Sequence, residues 1–401
     1  EQLDLAAQTL KLEPDILKLL QKPQRTINVS ISIRLDDGSL KVFEGFRVQY
    51  NNARGPYKGG LRYHPQVDMN EIKALAFWMA IKNAVVGIPY GGSKGGITVD
   101  PKKLSKAELE RLSRRFIDLI YKDIGPDVDV PAPDVNTDAE IMGWMVDEYS
   151  KLAGKWTPAV ITGKPLSLGG SQGREEATGF GGVTIMRDAV TFFKLKKNAT
   201  VAVQGFGNVG FYFAMFAAEA GFKVAAVSDS KGGVYSAKGL DVKKVHEWKI
   251  QTGVVKGYPG TVEVTNEKLL ELPVDVLVPA ALENQIHEKN ARKIKAKLIV
   301  EMANGPTTPE ADKILNRRKI PVIPDVLANS GGVATSYLEW SQNLSGQYLS
   351  ESEVLKKLEQ FMQTAWKNVV TAQKEFDTSF RNAAFILAIR RIAEAIKNRG
   401  V

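Results

Sequence analysis

A short segment in the middle of the chain, residues 201–210, constrains the fold more than any other. An apolar run predicts a strand, three glycines at the GxGxxG spacing follow, and a second apolar run predicts a helix. A strand that turns through such glycines into a helix is typical of a doubly wound α/β domain, whose helix N-terminus binds a dinucleotide pyrophosphate. The predicted cofactor loop consists of Gly205, Phe206, Gly207, Asn208, Val209 and Gly210.

An acidic residue in the expected place narrows the choice of dinucleotide. Asp229 ends the next predicted strand, where a carboxylate can accept hydrogen bonds from both ribose hydroxyls of NAD and would repel a 2′-phosphate. Ser230 and Lys231 follow at once and could hold that phosphate. The sequence therefore favours NAD and does not exclude NADP, and a solvated turn residue stays the alternative for Asp229.

The length of 401 residues predicts two or three domains, at roughly 100–200 residues each. Short apolar runs at 274–279, 297–300 and 320–323 alternate with helical segments, which is typical of a parallel sheet covered on both faces. We expect one domain from 173 to 379 and another from 1 to 172. The helical segment 380–401 is expected to return to the first domain.

Composition excludes several classes of site. With no cysteine and three scattered histidines, a metal site is not expected. No apolar run reaches the roughly 20 residues of a membrane helix, and the first residues do not resemble a signal segment. The net charge of +9 is spread out and no nucleic-acid motif accompanies it. We expect a cytoplasmic protein without membrane or nucleic-acid partners, and many charges without cysteine fit a heat-adapted one.

Three lysines and an aspartate stand out in the first domain. Lys58 and Lys94 lie in glycine-rich loops, Lys82 lies on the helix between them, and Asp134 follows two prolines that fix the backbone. Glycines let a ligand approach closely, and a desolvated ammonium near other ammoniums has a depressed pKa and can exchange protons near neutral pH. Taken singly, each residue could instead be an ordinary surface or turn residue.

These segments resemble the glutamate dehydrogenases of the amino-acid dehydrogenase superfamily, of the kind common in thermophiles, over nearly the whole chain. The segments that carry the resemblance are Gly-Pro-Tyr-Lys-Gly-Gly-Leu-Arg-Tyr-His-Pro (55–65), Gly-Gly-Ser-Lys-Gly-Gly (91–96), Pro-Ala-Pro-Asp (131–134), Gly-Arg-Glu-Glu-Ala-Thr-Gly (173–179), Gly-Phe-Gly-Asn-Val-Gly (205–210), Ala-Asn-Gly-Pro-Thr (303–307) and Asn-Ser-Gly-Gly-Val (329–333). The resemblance implies an N-terminal α/β domain for substrate binding and oligomerisation, a Rossmann-type domain, and a C-terminal helix that returns to the first.

The resemblance also implies roles for individual residues. Lys94 would assist attack of water on the imine, and Asp134 would carry protons to and from the amino nitrogen. Lys82 would hold the α-carboxylate, whereas Lys58 and Ser336 would hold the side-chain carboxylate. The implied substrate site further includes Met79, Thr162 and Val333, and the implied cofactor site further includes Thr178, Ala280, Asn304 and Asn329.

Two positions depart from the family pattern. Met79 stands where some relatives place a glutamine that helps to hold the α-carboxylate, so that contact is absent here. Met302 stands where glycine is more usual, and it is expected to crowd the loop near the nicotinamide.

The implied reaction is the reversible NAD- or NADP-dependent conversion of L-glutamate to 2-oxoglutarate and ammonium, by a homohexamer. Two alternatives remain. A leucine, valine or phenylalanine dehydrogenase would keep Lys94 and Asp134, but it would leave a charged Lys58 facing an apolar side chain, which is costly. A non-catalytic dinucleotide-binding protein, or one whose basic surface binds RNA, is the alternative from another class.

Overall fold

A computed structural model describes residues 2–400 and divides the chain into two compact units. Unit 1 comprises residues 1–174, 333–354 and 385–401, and unit 2 comprises residues 175–332 and 355–384. Within the described residues, no helix is both long and apolar enough to cross a membrane, and no group of three or more histidine, aspartate or glutamate residues could hold a metal ion.

Unit 1 begins with two short helices and is built on one sheet. Its helices are α1 (Gln2–Leu10), α2 (Pro14–Leu20), α3 (Met69–Val86), α4 (Lys106–Ile120) and α5 (Ala139–Ala153), and its strands are β1 (Arg25–Arg34), β2 (Leu40–Asn51), β3 (Tyr57–His64), β4 (Gly92–Thr98) and β5 (Asp129–Pro133). The strand order is β1-β2-β4-β3-β5, with β3 parallel to β4 and β5 and the other pairs antiparallel.

Apolar side chains of β2 point alternately to the two faces of this sheet, and each face is covered by a helix. Phe43 points to a core that includes Leu112 and Phe116 of α4, whereas Phe46 and Val48 belong to a second cluster with α3. Side chains on a strand alternate between faces, so one strand can serve two cores. This arrangement places α3, which carries Lys82, on the face opposite α4.

Unit 2 contains the predicted parallel sheet. Its helices are α6 (Ala177–Phe192), α7 (Asn208–Glu219), α8 (Val242–Thr252), α9 (Asn266–Leu270), α10 (Glu288–Ala291), α11 (Pro309–Arg317) and α12 (Asp325–Ala328), and its strands are β6 (Thr200–Gln204), β7 (Lys223–Asp229), β8 (Gly232–Tyr235), β9 (Val262–Val264), β10 (Val276–Pro279), β11 (Leu298–Val300) and β12 (Val322–Ile323). The order is β12-β11-β10-β6-β7-β8-β9, parallel from β12 to β7 and antiparallel beyond. The expected doubly wound fold is confirmed.

Three helices have residues in both units: α13 (Gly331–Ser345), α14 (Glu351–Glu375) and α15 (Phe380–Asn398). From residue 385 onward α15 belongs to unit 1, where Arg391 donates to the carbonyls of Ala84 and Val85 at the end of α3. The expected return of the C-terminal helix is therefore confirmed, although the change of unit comes five residues later than expected.

One expectation about the division of the chain is wrong. Residues 333–354 were expected within the 173–379 domain, but they belong to unit 1. Side chains of α13 contact unit 1: Trp340 donates to Pro126 O at 3.0 Å and packs edge-on against Tyr90, and Glu339 forms an ion pair with Lys164 at 2.8 Å. Hydrophobic periodicity does not report such partners, because it depends only on residues of one helix.

Side chains cap the N-termini of several helices. Ser105 and Glu108 form a capping box at α4, and Asp68 accepts from two backbone N–H groups at the start of α3. The spacing of Thr137 to Glu140 predicts a capping box at α5, but this prediction is wrong, because Asp138 caps the helix. The hydroxyl of Thr137 instead accepts from the backbone N–H of Asp134, so this threonine helps to shape the turn that carries Asp134.

A fully buried ion pair crosses the sheet of unit 1. Arg47 on β2 and Asp129 on β5 are 0% exposed, and two guanidinium nitrogens donate to the two carboxylate oxygens at 2.9 and 2.5 Å. Arg47 also donates to Ser93 Oγ on β4 at 2.7 Å and to Gly59 O on β3 at 3.1 Å. One side chain therefore connects four strands.

Replacing Arg47 with Met is expected to lower the free energy of unfolding by about 3–5 kcal/mol, because Asp129 would remain buried without its cation. The double variant Arg47→Met/Asp129→Leu should recover most of this loss, since an apolar pair can replace a buried ion pair at little cost. Denaturant titration of both variants measures the difference. A double variant as unstable as the single one would show that the bonds to Ser93 and Gly59 matter more than the charge.

Candidate active site

The three lysines singled out by the sequence lie on β3, α3 and β4 of unit 1. Lys58, Lys82 and Lys94 are 2%, 8% and 6% exposed. The strands come close because glycine occupies the contact: a Cβ at Gly59 would lie 1.6 Å from Ser93 O. Three positive charges on neighbouring elements of one unit suit the binding of an anionic ligand.

Lys94 and Asp134, two residues that the sequence analysis singled out, are in direct contact. Lys94 Nζ lies 2.9 Å from Asp134 Oδ2, and Arg62 Nε donates to the same oxygen at 2.8 Å. Arg62 also forms an ion pair with Glu71 on α3. Asp134 therefore shares one oxygen between two cations directly after β5.

Burial and the neighbouring charges shift the pKa values of both Lys94 and Asp134. Burial lowers the pKa of Lys94, the carboxylate of Asp134 partly offsets this effect, and the cations of Arg62 and Arg47 add to it. For Asp134, burial alone would raise the pKa, but Lys94 and Arg62 outweigh it and lower the pKa to about 2. The pair is thus an ammonium that gives up its proton more readily than usual beside a firmly ionised carboxylate.

Lys58 differs from Lys94 because it lacks a carboxylate in contact. Within residues 2–400 its ammonium has no hydrogen-bond or ion-pair partner. Burial lowers its pKa well below the usual value, and Arg174 and Arg47 lower it further, while the more distant Glu339 and Asp129 oppose them. A buried cation without a counterion is costly for the fold, so this position suits the binding of an anion.

The other predicted substrate residues also belong to unit 1. Met79 lies one turn before Lys82 on α3, and Val333 lies one turn before Ser336 on α13. The hydroxyl of Thr162 is fully buried and has no hydrogen-bond partner within the described residues. Most buried hydroxyls have partners, so a free one suggests that a ligand completes it.

Two residues near Ser336 were missed by the sequence analysis. Arg174 donates to Ser336 Oγ at 3.0 Å, and its charge also acts on Lys58. Glu339, fully buried on α13, accepts from Arg174 at 3.4 Å. The sequence offers a signal for Arg174, which is a charged residue within the 173–179 motif. It offers none for Glu339, because a single glutamate on a helix is not distinctive.

In unit 2 the cofactor loop lies where the order of the sheet reverses. The loop after β6 and the loop after β10 separate there, and a Cβ at Gly205, which has φ +95°, would meet Ala280 at 2.8 Å. A Cβ at Gly210 would lie 1.8 Å from Gly205 O, so strand and helix need this glycine to pack. At Gly207, the N-cap of α7, a Cβ would meet nothing within 4 Å. This open space at a helix N-terminus fits a pyrophosphate.

The carboxylate of Asp229 accepts hydrogen bonds from backbone N–H groups. Its two oxygens accept from the N–H groups of Lys231 and Val255, both at 2.8 Å. Each oxygen keeps a lone pair for a ribose hydroxyl. The residues beyond it line an open pocket of about 410 Å³: Ser230, Lys231, Lys256, Glu263, Thr265 and Asn266. This mixed lining of ammoniums, hydroxyls and carboxylates does not by itself favour one dinucleotide.

The residues expected around the nicotinamide ribose lie on three neighbouring elements. Asn329, which ends α12, donates to Asn304 Oδ1 at 2.9 Å. Thr178 lies near the start of α6, where a Cβ at Gly332 would meet its hydroxyl at 3.0 Å. Thr178, Asn304 and Asn329 therefore belong to one unit, and two of them are in direct contact.

A buried ion-pair network supports this end of the unit. Arg381 at the start of α15 donates to both oxygens of Glu301, at 2.9 and 2.7 Å. Glu301 accepts from Asp325 N, and Asp325 in turn accepts from Gly305 N at 2.9 Å. These bonds fix the backbone N–H groups of Gly305, directly after Asn304, and of Asp325, four residues before Asn329.

The expected crowding by Met302 is not what the structure shows. Its side chain is 3% exposed and lies against Gly182 of α6, where a Cβ would meet its sulfur at 2.3 Å. A flexible thioether fills the space that this glycine leaves. The methionine therefore packs into the unit and not into the loop.

Two glycine variants test the cofactor loop. Gly207→Ala should keep the melting temperature, because its Cβ meets no atom, yet weaken NADH binding on the order of tenfold or more by occupying the pyrophosphate space. Gly210→Ala should lower the melting temperature, because its Cβ would overlap a carbonyl oxygen. Thermal melts and fluorescence titration with NADH measure both. Unchanged NADH affinity in Gly207→Ala would contradict this placement of the pyrophosphate.

Comparison with known proteins agrees with both units. The family model described as Glutamate/Leucine/Phenylalanine/Valine dehydrogenase matches residues 169–400, and the model described as Glu/Leu/Phe/Val dehydrogenase, dimerisation domain, matches residues 23–151. Together these matches cover well over half of the chain.

Individual relatives are similar over their whole length. A glutamate dehydrogenase of Thermotoga maritima is 53% identical, covering 100% of this chain and 97% of the relative. An NAD-specific glutamate dehydrogenase of Clostridioides difficile is 49% identical (98% and 95% covered), and an NADP-specific one of Synechocystis is 47% identical (100% and 96%). The crystal structure of the hetero-hexameric glutamate dehydrogenase of Thermus thermophilus, in a leucine-bound form, has a TM-score of 0.93 at 38% identity and covers 100% of this chain and 96% of that one. This chain therefore belongs to the glutamate/leucine/phenylalanine/valine dehydrogenase family.

Proposed function

We propose that this chain is a glutamate dehydrogenase, which catalyses the reversible oxidative deamination of L-glutamate with NAD or NADP. Glutamate, water and the oxidised cofactor give 2-oxoglutarate, ammonium, the reduced cofactor and a proton. The observation that carries the substrate assignment is Lys58, a buried cation whose pKa is lowered and which has no carboxylate in contact. The similarity to glutamate dehydrogenases along the full chain supports the same reaction.

The proposed binding of glutamate uses two separate cations for its two carboxylates. Lys82 on α3 would hold the α-carboxylate, and Lys58 with Ser336 would hold the side-chain carboxylate. Arg174 adds a second cation to that end because it donates to Ser336. An apolar side chain at the same place would leave Lys58 desolvated without an anion, which disfavours a leucine, valine or phenylalanine substrate.

The proposed chemistry follows from the Lys94–Asp134 pair. The residues of the Gly205–Gly210 loop would hold the dinucleotide, which would supply the acceptor for the hydride of the amino-acid Cα. Lys94, with its lowered pKa, would be present in part as the free amine that takes a proton from the attacking water. Loss of the proton from Lys94 removes a cation beside Asp134 and so raises the low pKa of that carboxylate. Asp134 would then carry a proton to or from the substrate nitrogen.

Cofactor choice and assembly are the less specific parts of the proposal. The Gly205–Gly210 loop fits the pyrophosphate shared by both dinucleotides, while Asp229 favours NAD, with NADP accepted as a second cofactor. The relatives include NAD-specific and NADP-specific enzymes. A homohexamer, a cytoplasmic location and heat adaptation remain predictions of the sequence. The hetero-hexameric assembly of the Thermus thermophilus relative supports a hexamer.

Absorbance at 340 nm tests the substrate directly. The wild-type chain should oxidise NADH or NADPH with 2-oxoglutarate and ammonium far faster than with 4-methyl-2-oxopentanoate. Lys58→Leu should reduce kcat/KM for 2-oxoglutarate by about a hundredfold or more and change turnover of the branched keto acid little, because only the former has a second carboxylate. Lys102→Leu, which removes an exposed lysine of the same unit, is the matched control. Equal loss for both keto acids would refute the assignment of Lys58.

Replacing Asp134 with Asn tests the proton-transfer pair. We expect kcat to fall by about 10²–10⁴ because the variant cannot accept a proton. The residual activity should reach its alkaline plateau at lower pH, since without the Asp134 charge the pKa of Lys94 falls further. Glu71→Gln, which removes the other partner of Arg62, should change kcat/KM less than about fivefold. A pH profile of Asp134→Asn that is displaced to higher pH would contradict the assignment.

A further inference from the structure

A buried carboxylate lies beside the proposed subsite for the substrate side chain, and the proposed chemistry does not use it. Glu339 is 0% exposed on α13, three residues after Ser336. Residues three apart on a helix share a face, so Glu339 and Ser336 face the same surroundings. The contacts of Glu339 indicate what it does there.

Glu339 binds a loop and a side chain at once. Its two oxygens accept from Gly163 N at 2.9 and 2.8 Å, and one of them accepts from Lys164 Nζ at 2.8 Å. The other accepts from Arg174 at 3.4 Å. The loop held in this way carries Thr162, whose buried hydroxyl has no hydrogen-bond partner among residues 2–400.

We propose that Glu339 is the positioning residue for recognition of the substrate's distal carboxylate: it holds Arg174 against Ser336 and fixes the loop that presents Thr162. The proposal rests on the proposed function, because it concerns the same substrate. It extends that function by a residue that never contacts the substrate.

The balance of charge supports this role. Lys58, Lys164 and Arg174 provide three cations, and Glu339 provides one carboxylate that pairs most closely with Lys164. Arg174 and Lys58 are left without a full counterion. This surplus of positive charge matches a carboxylate arriving from the substrate and disfavours a neutral side chain.

A purely structural role would be different: Glu339 would only neutralise Lys164. The double variant Glu339→Gln/Lys164→Met separates the two roles, since it removes both charges of the buried pair. If Glu339 only neutralises Lys164, the double variant should recover both stability and activity. If Glu339 positions Arg174, the double variant should recover stability alone.

The experiment compares wild type, Glu339→Gln, Glu339→Gln/Lys164→Met and Glu339→Asp in the full-length protein. The readouts are the melting temperature, the NADH dissociation constant, and KM for 2-oxoglutarate and for NADH. We expect Glu339→Gln to lower the melting temperature and the double variant to restore it. KM for 2-oxoglutarate should remain raised roughly tenfold in the double variant, with KM for NADH changed less than about twofold.

A pH profile of Glu339→Gln reports the charge that Glu339 places near Lys58. The charged groups acting on Lys58 are Arg174 and Arg47, which lower its pKa, and Glu339 and Asp129, which raise it. Removing the charge of Glu339 alone therefore lowers the pKa of Lys58. KM for 2-oxoglutarate should begin to rise at a lower pH in Glu339→Gln than in wild type, whereas Glu339→Asp, which keeps the charge, should retain the wild-type profile.

The proposal is overturned if the double variant regains the wild-type KM for 2-oxoglutarate. If the double variant does not fold, Glu339→Asp decides: its shorter side chain withdraws from Arg174, so an unchanged KM for 2-oxoglutarate also overturns the proposal. Failure of the proposed function looks different, because wild type itself would then not turn over 2-oxoglutarate with either cofactor.

Discussion

The ion pair between Arg47 and Asp129 is the interaction on which the rest of unit 1 depends. It is fully buried, links β2, β4, β3 and β5, and lies beneath the strands that carry Lys58 and Lys94. A buried pair of this kind contributes little net stability but is costly to break. Its consequence here is electrostatic as well as structural, since the guanidinium lowers the pKa values of both lysines.

The two buried lysines are tuned in different ways by their neighbours. Lys94 has Asp134 in contact, so a proton can move within a preformed pair. Lys58 has cations nearby and its carboxylates at a distance, so its charge is stabilised only when an anion arrives. In the proposed function, the first of these sites would exchange protons and the second would bind the side-chain carboxylate. This division of roles would explain the selection of an amino acid with an acidic side chain.

Local sequence patterns predicted the elements well and their partners only in part. The glycine spacing of residues 205–210 predicted the turn between β6 and α7, because a Cβ at Gly205 or Gly210 would overlap neighbouring backbone atoms. The Arg47–Asp129 pair joins residues 82 positions apart, and no local pattern reports such a contact. Thr137 was predicted as a cap because its spacing to Glu140 was right, but Asp138 competes for the same backbone groups. Most of the predicted site residues fall on the two expected units, and their roles remain predictions.

The measurement that tests this account most directly is the proton balance of 2-oxoglutarate binding. Calorimetric titrations in mildly alkaline buffers of different ionisation enthalpy give the number of protons exchanged. Because burial lowers the pKa of Lys58 in the free protein and a bound carboxylate raises it again, the account predicts net proton uptake that disappears in Lys58→Leu. Binding without proton uptake, or uptake that persists unchanged in the variant, would contradict the claim that a buried, counterion-free Lys58 recognises the second carboxylate.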